Sequence, residues 1–247
     1  MADFFIGTQN RLPLFGTLHL GLTVGALILY ALVFVFRKKL SDCAHLKAIR
    51  ISMALVLLLN MAVHYSSRLL LGIWRFEEDL PLHLCFIANF LLIYIMLTDD
   101  RRGLYGTVYF FTLIGPLPAM LFPDLACSYD SFIFYQFVIS HHFMLLCSLF
   151  CLLVFGYKSS IKNVPSALIA GNLLVASVMV FNKVFGTNYI MTDELPTQLY
   201  EHFPFLAALP PLFWLELSGV VCILIACIPL IFLSPKCALS KRSVHHS

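Results

Sequence analysis

Residues 14–36 read "LFGTLHLGLTVGALILYALVFVF". An α-helix needs about 20 consecutive apolar residues to cross a bilayer, and this run supplies about 23 without one Lys, Arg, Asp or Glu. Six further runs of similar character follow, at about 48–73, 80–97, 104–121, 131–155, 164–184 and 210–233. Lipid offers the backbone no hydrogen-bond partner, so each run is expected to close its own bonds as a helix. The whole chain agrees, with 60% hydrophobic and only 12% charged residues against about 25% charged in soluble domains. The fold class expected is all-α, a polytopic membrane protein in which residues 1–247 form a single seven-transmembrane-helix bundle. The first run lacks a basic flank before it and is expected to be a retained span rather than a signal peptide.

Sidedness follows from the basic residues. Twelve of the 16 lie in alternate turns or the tail: Arg37, Lys38, Lys39, Lys47, Arg50, Arg101, Arg102, Lys158, Lys162, Lys236, Lys241 and Arg242. Arg11, Arg68, Arg75 and Lys183 are the exceptions. The opposite turns hold the acids Glu77, Glu78, Asp79, Asp124, Asp130, Asp193, Glu194 and Glu201. The N-terminus is therefore expected outside and the C-terminus in the cytoplasm. The membrane is the plasma or cytoplasmic one or, in a eukaryote, an endomembrane. A net charge of +3 spread over short turns makes no track for a phosphate backbone, so no nucleic acid partner is expected, and no protein partner is evident.

Polar side chains at membrane depth are costly and face the bundle interior or a wet cavity. Asn60, His64, Ser67 and Arg68 recur at helical spacing on one face of the second run, and Cys85 and Asn89 are i, i+4 in the third. In the fifth run, His141 and Ser148 share one face, and Tyr135 and His142 another. At about 1.5 Å per residue, His64, Cys85, Asn89 and His141 all fall in the outer half of the bilayer. They are expected to line one polar pocket. His83, two positions before Cys85, is placed on the other side of the helix, beside Pro81. Glu216 is the one acid inside a run, available to a pocket histidine or to Arg68. The long loop at about 185–209 is long enough to fold over the outer end.

Eight cysteines occur without a CxxC pair, and Cys147, Cys151, Cys222 and Cys227 read as apolar packing. Cysteine with histidine is the minimum for thiol catalysis: imidazole takes the thiol proton and the thiolate attacks an acyl carbonyl. Asn89, Asn60 or Tyr189 are available as oxyanion donors. Histidines with a cysteine also suit zinc, but no HExxH is present, and neither a metal nor another cofactor is expected. A non-catalytic transporter or receptor using the same pocket is the alternative. No inverted repeat or pair of matched broken helices, the usual marks of a transporter, is read in the sequence.

"LPLHLC" (80–85), "FPD" (122–124), "QFVISH" (136–141) and "GTNYI" (186–190) resemble, in order and spacing, motifs of the YwaF-like family of integral membrane proteins. That family includes bacterial members of unassigned function and the eukaryotic transmembrane protein 164. The resemblance runs from about residue 60 to 233. It implies an acyltransferase that moves a polyunsaturated acyl chain onto a lyso-ether phospholipid, with an essential cysteine and histidine. By motif these are Cys85, ending "LPLHLC", and His141, ending "QFVISH"; His142 is the one-residue alternative. A more distant kinship, to androgen-induced fatty-ester hydrolases, implies the same chemistry with a threonine and a histidine. The reading is a membrane lipid acyltransferase or acyl hydrolase. Its partners are membrane phospholipid and lysophospholipid, Cys85 and His141 are catalytic, and His83, His64, Asn60, Asn89, Asn188 and Tyr189 support the pocket.

Overall fold

The computed structural model describes residues 4–5, 10–100 and 103–233. Arg101, Arg102, Lys236, Lys241, Arg242, Cys237, His245 and His246 lie outside the described residues. Among those described there is no strand. Seven helices carry the fold: α1 (Thr17–Ser41), α2 (Leu46–Leu70), α3 (Leu84–Thr98), α4 (Leu104–Leu121), α5 (Phe132–Leu153), α6 (Val164–Phe185) and α7 (Pro211–Leu233). The expected runs reappear, with ends moved by local chemistry. Lys38 and Lys39 in the last turn of α1 complement the negative end of its dipole. A capping box of Ser160 and Asn163 precedes α6, and Gly186, at φ 66°, ends it in the left-handed conformation that glycine adopts without strain.

Six of these helices are long and apolar enough to cross a membrane, and α3 is the shorter one. Its 15 residues span about 22 Å, less than the roughly 30 Å of a hydrocarbon core. The shortening has two causes. Leu80 and His83 are in extended conformation around Pro81, so the helix starts at Leu84, four residues later than the run suggests. At the other end, Asp99 turns left-handed at φ 57° and stops it.

The short α3 is packed between α2, α4 and α5. Its Ala88, Leu92, Ile95 and Met96 join Leu57 of α2, Tyr105 and Tyr109 of α4 and Met144 of α5 in one buried core. By contrast, α1, α6 and α7 turn large apolar side chains outward, among them Val35, Leu173 and Leu224. Exposed apolar faces of that extent suit a lipid environment rather than water. The chain is a helical membrane protein.

The loop between α6 and α7 does cover one end of the bundle. It contains a helical turn, Tyr189–Met191, and a short helix, Thr197–His202, and it touches the segment before α1 through Leu14 N–H donating to Gln198 Oε1 at 3.3 Å. The same end holds three ion pairs: Arg11 with Asp124 at 3.5 Å, Arg68 with Asp79 at 2.5 Å and Arg75 with Glu78 at 2.8 Å. Three of the four basic residues that departed from the charge bias are thus matched by acids. Asp124 is the aspartate of the FPD motif; burial pushes its carboxyl above the usual range, against the pull of Arg11.

Candidate functional site

Cys85 is the second residue of α3, not a turn and a half into a helix, because the chain before it is extended. In the first turn Cys85 N–H has no helical acceptor, while Phe86 N–H donates to the His83 carbonyl at 3.0 Å. The Cys85 side chain lies against the N–H groups of Cys85 and Phe86. The side chain is partly buried and its thiol is free. Opposite it, α4 breaks between Ile114 and Pro116. A Cβ on the intervening Gly115 would lie 3.0 Å from Cys85 N and 3.2 Å from its Cα. Both are backbone atoms that cannot swing aside. Gly115→Ala is therefore expected to force α4 and α3 apart, at a cost of about 1–3 kcal/mol, measurable as a lower Tm of the purified protein.

His83 caps the start of α3 in extended conformation, so the helical-wheel argument that turned it away from Cys85 does not apply. Its Nδ1 accepts from Ile190 N–H at 3.3 Å, and its ring packs on Tyr189 at 5.3 Å. Ile190 and Met191 both have φ of 62°. For a β-branched residue this is a strained conformation, of the kind that persists only where surrounding contacts hold it.

His141 lies in a π-helical segment of α5, Ile139–Phe143. Such a segment holds one extra residue per turn and shifts the register beyond it. That is why Tyr135 and His142, assigned one face by the 3.6-residue period, part company: Tyr135 is exposed and His142 buried. It also lets consecutive residues His141 and His142 both be buried. His141 Nδ1 is 2.8 Å from the Phe137 carbonyl. A carbonyl only accepts, so in the neutral ring Nδ1 carries the hydrogen and Nε2 keeps its lone pair. The ring also stacks on Phe137 at 4.3 Å. No hydrogen bond joins Cys85 to His141 among the described residues; the π segment packs against α3.

The supporting residues divide by what they already hold. Asn60 Nδ2 donates to Ser140 Oγ at 3.0 Å and to the Gln136 carbonyl at 3.4 Å, and Gln136 Nε2 donates to Ser140 Oγ at 2.7 Å. Asn60 is thus a clamp between α2 and the π segment. Tyr189 is buried, with its hydroxyl donating to the Phe76 carbonyl and accepting from Leu80 N–H at 3.0 Å. Asn188 is exposed and folds its own loop, donating to the Glu194 carbonyl at 2.8 Å and accepting from Asp193 N–H at 3.1 Å. It does not reach the bundle interior. His64 is buried beside Tyr65 and Phe86. Asn89 is buried, and neither Nδ2 nor Oδ1 has a hydrogen-bond partner. Glu216 is exposed, and Arg68 pairs with Asp79 and Glu78 instead.

Three groups escaped the sequence reading. Asn182 of α6 is buried and bonds Tyr189 O, Thr192 Oγ1, Thr187 Oγ1 and Tyr189 N within 2.7–2.9 Å; an asparagine near the end of an apolar run was its only signal. Gln136 and Ser140 sit inside the quoted QFVISH motif. His19, in the first apolar run, bonds the Met120 carbonyl at 2.8 Å. No group of three or more His, Cys, Asp or Glu converges as a metal set among the described residues. Two cavities lie away from Cys85. One, of about 690 Å³, is lined by Asp193, Tyr200 and Pro204–Pro211 residues of the long loop. The other, of about 570 Å³, is lined by Lys47, Arg50 and Asp99 at the opposite end.

These features define a helical membrane protein with a partly buried cysteine, a buried histidine on a π segment and a strapped loop gathered at one end. The chain matches the TMEM164 family across residues 14–232 and belongs to it. An uncharacterized protein of Treponema pallidum (strain Nichols) is 28% identical over 187 residues, covering 75% of this chain and 76% of that protein. No solved structure matches the chain.

Proposed function

We propose that the protein is a membrane lipid acyltransferase or acyl hydrolase, with Cys85 as nucleophile and His141 as base. His141 Nε2 takes the Sγ proton, and the thiolate attacks the carbonyl carbon of a phospholipid ester. The bond to the lysolipid oxygen then breaks, and the imidazolium returns the proton to that oxygen. A thioester on Cys85 remains. A lysophospholipid hydroxyl, or water, attacks it with His141 again taking the proton; the C–Sγ bond then breaks, giving the acylated lipid or the free acid, and the proton on His141 returns to the Cys85 sulfur.

One observation carries the reading: His141 Nδ1 is held by the Phe137 carbonyl, which leaves Nε2 unprotonated, on a π segment packed against the helix whose first turn bears Cys85. General bases are oriented in this way, and catalytic contacts are often long before substrate binds. We further infer that α3, with the extended residues before it, acts as a seventh span. The site then lies in the outer half of the bilayer, near the depth of lipid esters, with the N-terminus outside.

The test uses purified protein and a phospholipid labelled in its acyl chain, with and without lysophospholipid. Label appearing in the lysolipid, or as free acid when lysolipid is omitted, is the expected result. Recovery of all label in the starting lipid would favour the non-catalytic transporter or receptor.

A further inference from the structure

Asn89 is 1% exposed, and both of its amide atoms are buried without a partner. Folding a primary amide into that position forgoes the hydrogen bonds that water would give it. Such orphans are few in native structures and call for a reason. Other buried amides show the contrast: Asn60, Gln136 and Asn182 each donate from the side-chain nitrogen, and Gln198, whose Nε2 is also unpartnered, still accepts from Leu14 N–H. Of the three oxyanion donors that the sequence offers, Asn60 is committed to Ser140, and the Tyr189 hydroxyl hydrogen to the Phe76 carbonyl. Asn89 alone keeps a free N–H.

Its place on the helix gives the free amide a target. Asn89 is one turn beyond Cys85, at i+4, on the same face of α3. Helical side chains slant toward the N-terminus of their helix, which carries the amide toward the Cys85 sulfur. We propose that Asn89 Nδ2 is an oxyanion donor for an acyl ester bound at Cys85, a role that rests on Cys85 being the nucleophile. As the Sγ–C bond forms, the carbonyl π pair moves onto oxygen, and Asn89 N–H donates to that oxygen. When the pair returns, the bond to the lysolipid oxygen breaks and the proton on His141 goes to it. The substrate atom recognised is an uncharged ester carbonyl oxygen.

An orphaned donor kept for catalysis has a signature that a structural asparagine lacks: its removal relieves the fold and harms the reaction. In Asn89→Leu, Tm is expected to rise by about 2–4 °C and kcat for acyl transfer to fall by about 10²-fold, with KM little changed. Alkylation of Cys85 by iodoacetamide is expected to proceed at the wild-type rate. Activity within threefold of wild type, or a lower Tm with unchanged kcat, would overturn the assignment. Should Asn89→Leu not fold, Asn89→Ser and Asn89→Ala differ only in a hydroxyl donor. Serine is expected to exceed alanine by at least tenfold in kcat, and equal rates would overturn the assignment too. Cys85→Ala separates the two levels: if it is inactive while Asn89→Leu is active, only the oxyanion role falls, and if it is active the nucleophile reading itself falls.

Discussion

Cys85→Ala is expected to lower acyl transfer on the order of 10³-fold or more while the protein still folds. The first half follows from the chemistry, since no second thiol shares the first turn of α3. Cys147, Cys151 and Cys222 are buried, where a cysteine behaves as a small apolar residue. The second half follows from packing: the Cys85 side chain is only partly buried, so truncation leaves little void. His141→Ala is expected to match the loss, and the double variant to be no worse than either single one, because a nucleophile without its base and a base without its nucleophile fail at the same step. Mass spectrometry of the lipid products reads the rates, and intact-protein mass detects an acyl adduct on wild type that Cys85→Ala lacks. Full activity in Cys85→Ala would remove the cysteine mechanism altogether.

Legibility in the sequence depended on which rule governed each segment. The long helices are set by burial of apolar side chains in lipid or in one another, a signal spread over about 20 residues, so Leu104–Leu121 and Phe132–Leu153 appear close to where the apolar runs place them. Features set by a single backbone choice did not show. Leu80–His83 is apolar enough to continue a helix, yet Leu80 and His83 are extended on either side of a turn at Pro81–Leu82, since the residue before a proline avoids the α region. The π segment at Ile139–Phe143 carries no mark in composition, and a fixed 3.6-residue period cannot pass through it. This is where the pairing of Tyr135 with His142 failed. Asn188 and Tyr189 came together as part of one motif, but the first faces outward and the second inward, because consecutive residues in a tight turn point to different sides.

The candidate site is held by clamps from three directions. Asn60, Ser140 and Gln136 fix the π segment to α2. Asn182 fixes the strained turn that presents Ile190 N–H to His83. The third clamp is Arg68 with Asp79, at the point where the chain leaves α2 and approaches α3. Asn60, Asn182 and Asp79 are buried, and in such a low-dielectric setting a satisfied pair rigidifies and a broken one is expensive.

Asp79→Ala is expected to destabilise the fold by about 3–5 kcal/mol, the usual result of removing one partner of a buried ion pair. Arg68 Nε lies 2.5 Å from Asp79 Oδ1, with side chains only 13% and 5% exposed. The Nε hydrogen does not point along that contact, so the pair is held by charge more than by a directed hydrogen bond. Glu78, 3.8 Å from Arg68 but about half exposed, compensates only in part. Asp79 also accepts from Arg75 N–H at 2.6 Å, which fixes the turn leading to Leu80, and Leu80 N–H reaches the Tyr189 hydroxyl. Loss of Asp79 is therefore expected to lower Tm by roughly 10 °C and to loosen the start of α3, so that acyl transfer falls even at temperatures where the protein stays folded. Arg68→Met/Asp79→Leu is expected to recover much of the stability, because neither charge is left buried alone. It is not expected to recover the activity, since the hydrogen bond to Arg75 N–H is still missing. A double-mutant cycle in Tm and in rate reads both. If the double variant is as unstable as Asp79→Ala, the pair contributes through packing and hydrogen bonding rather than charge; if it regains full activity, the turn before Leu80 does not position Cys85.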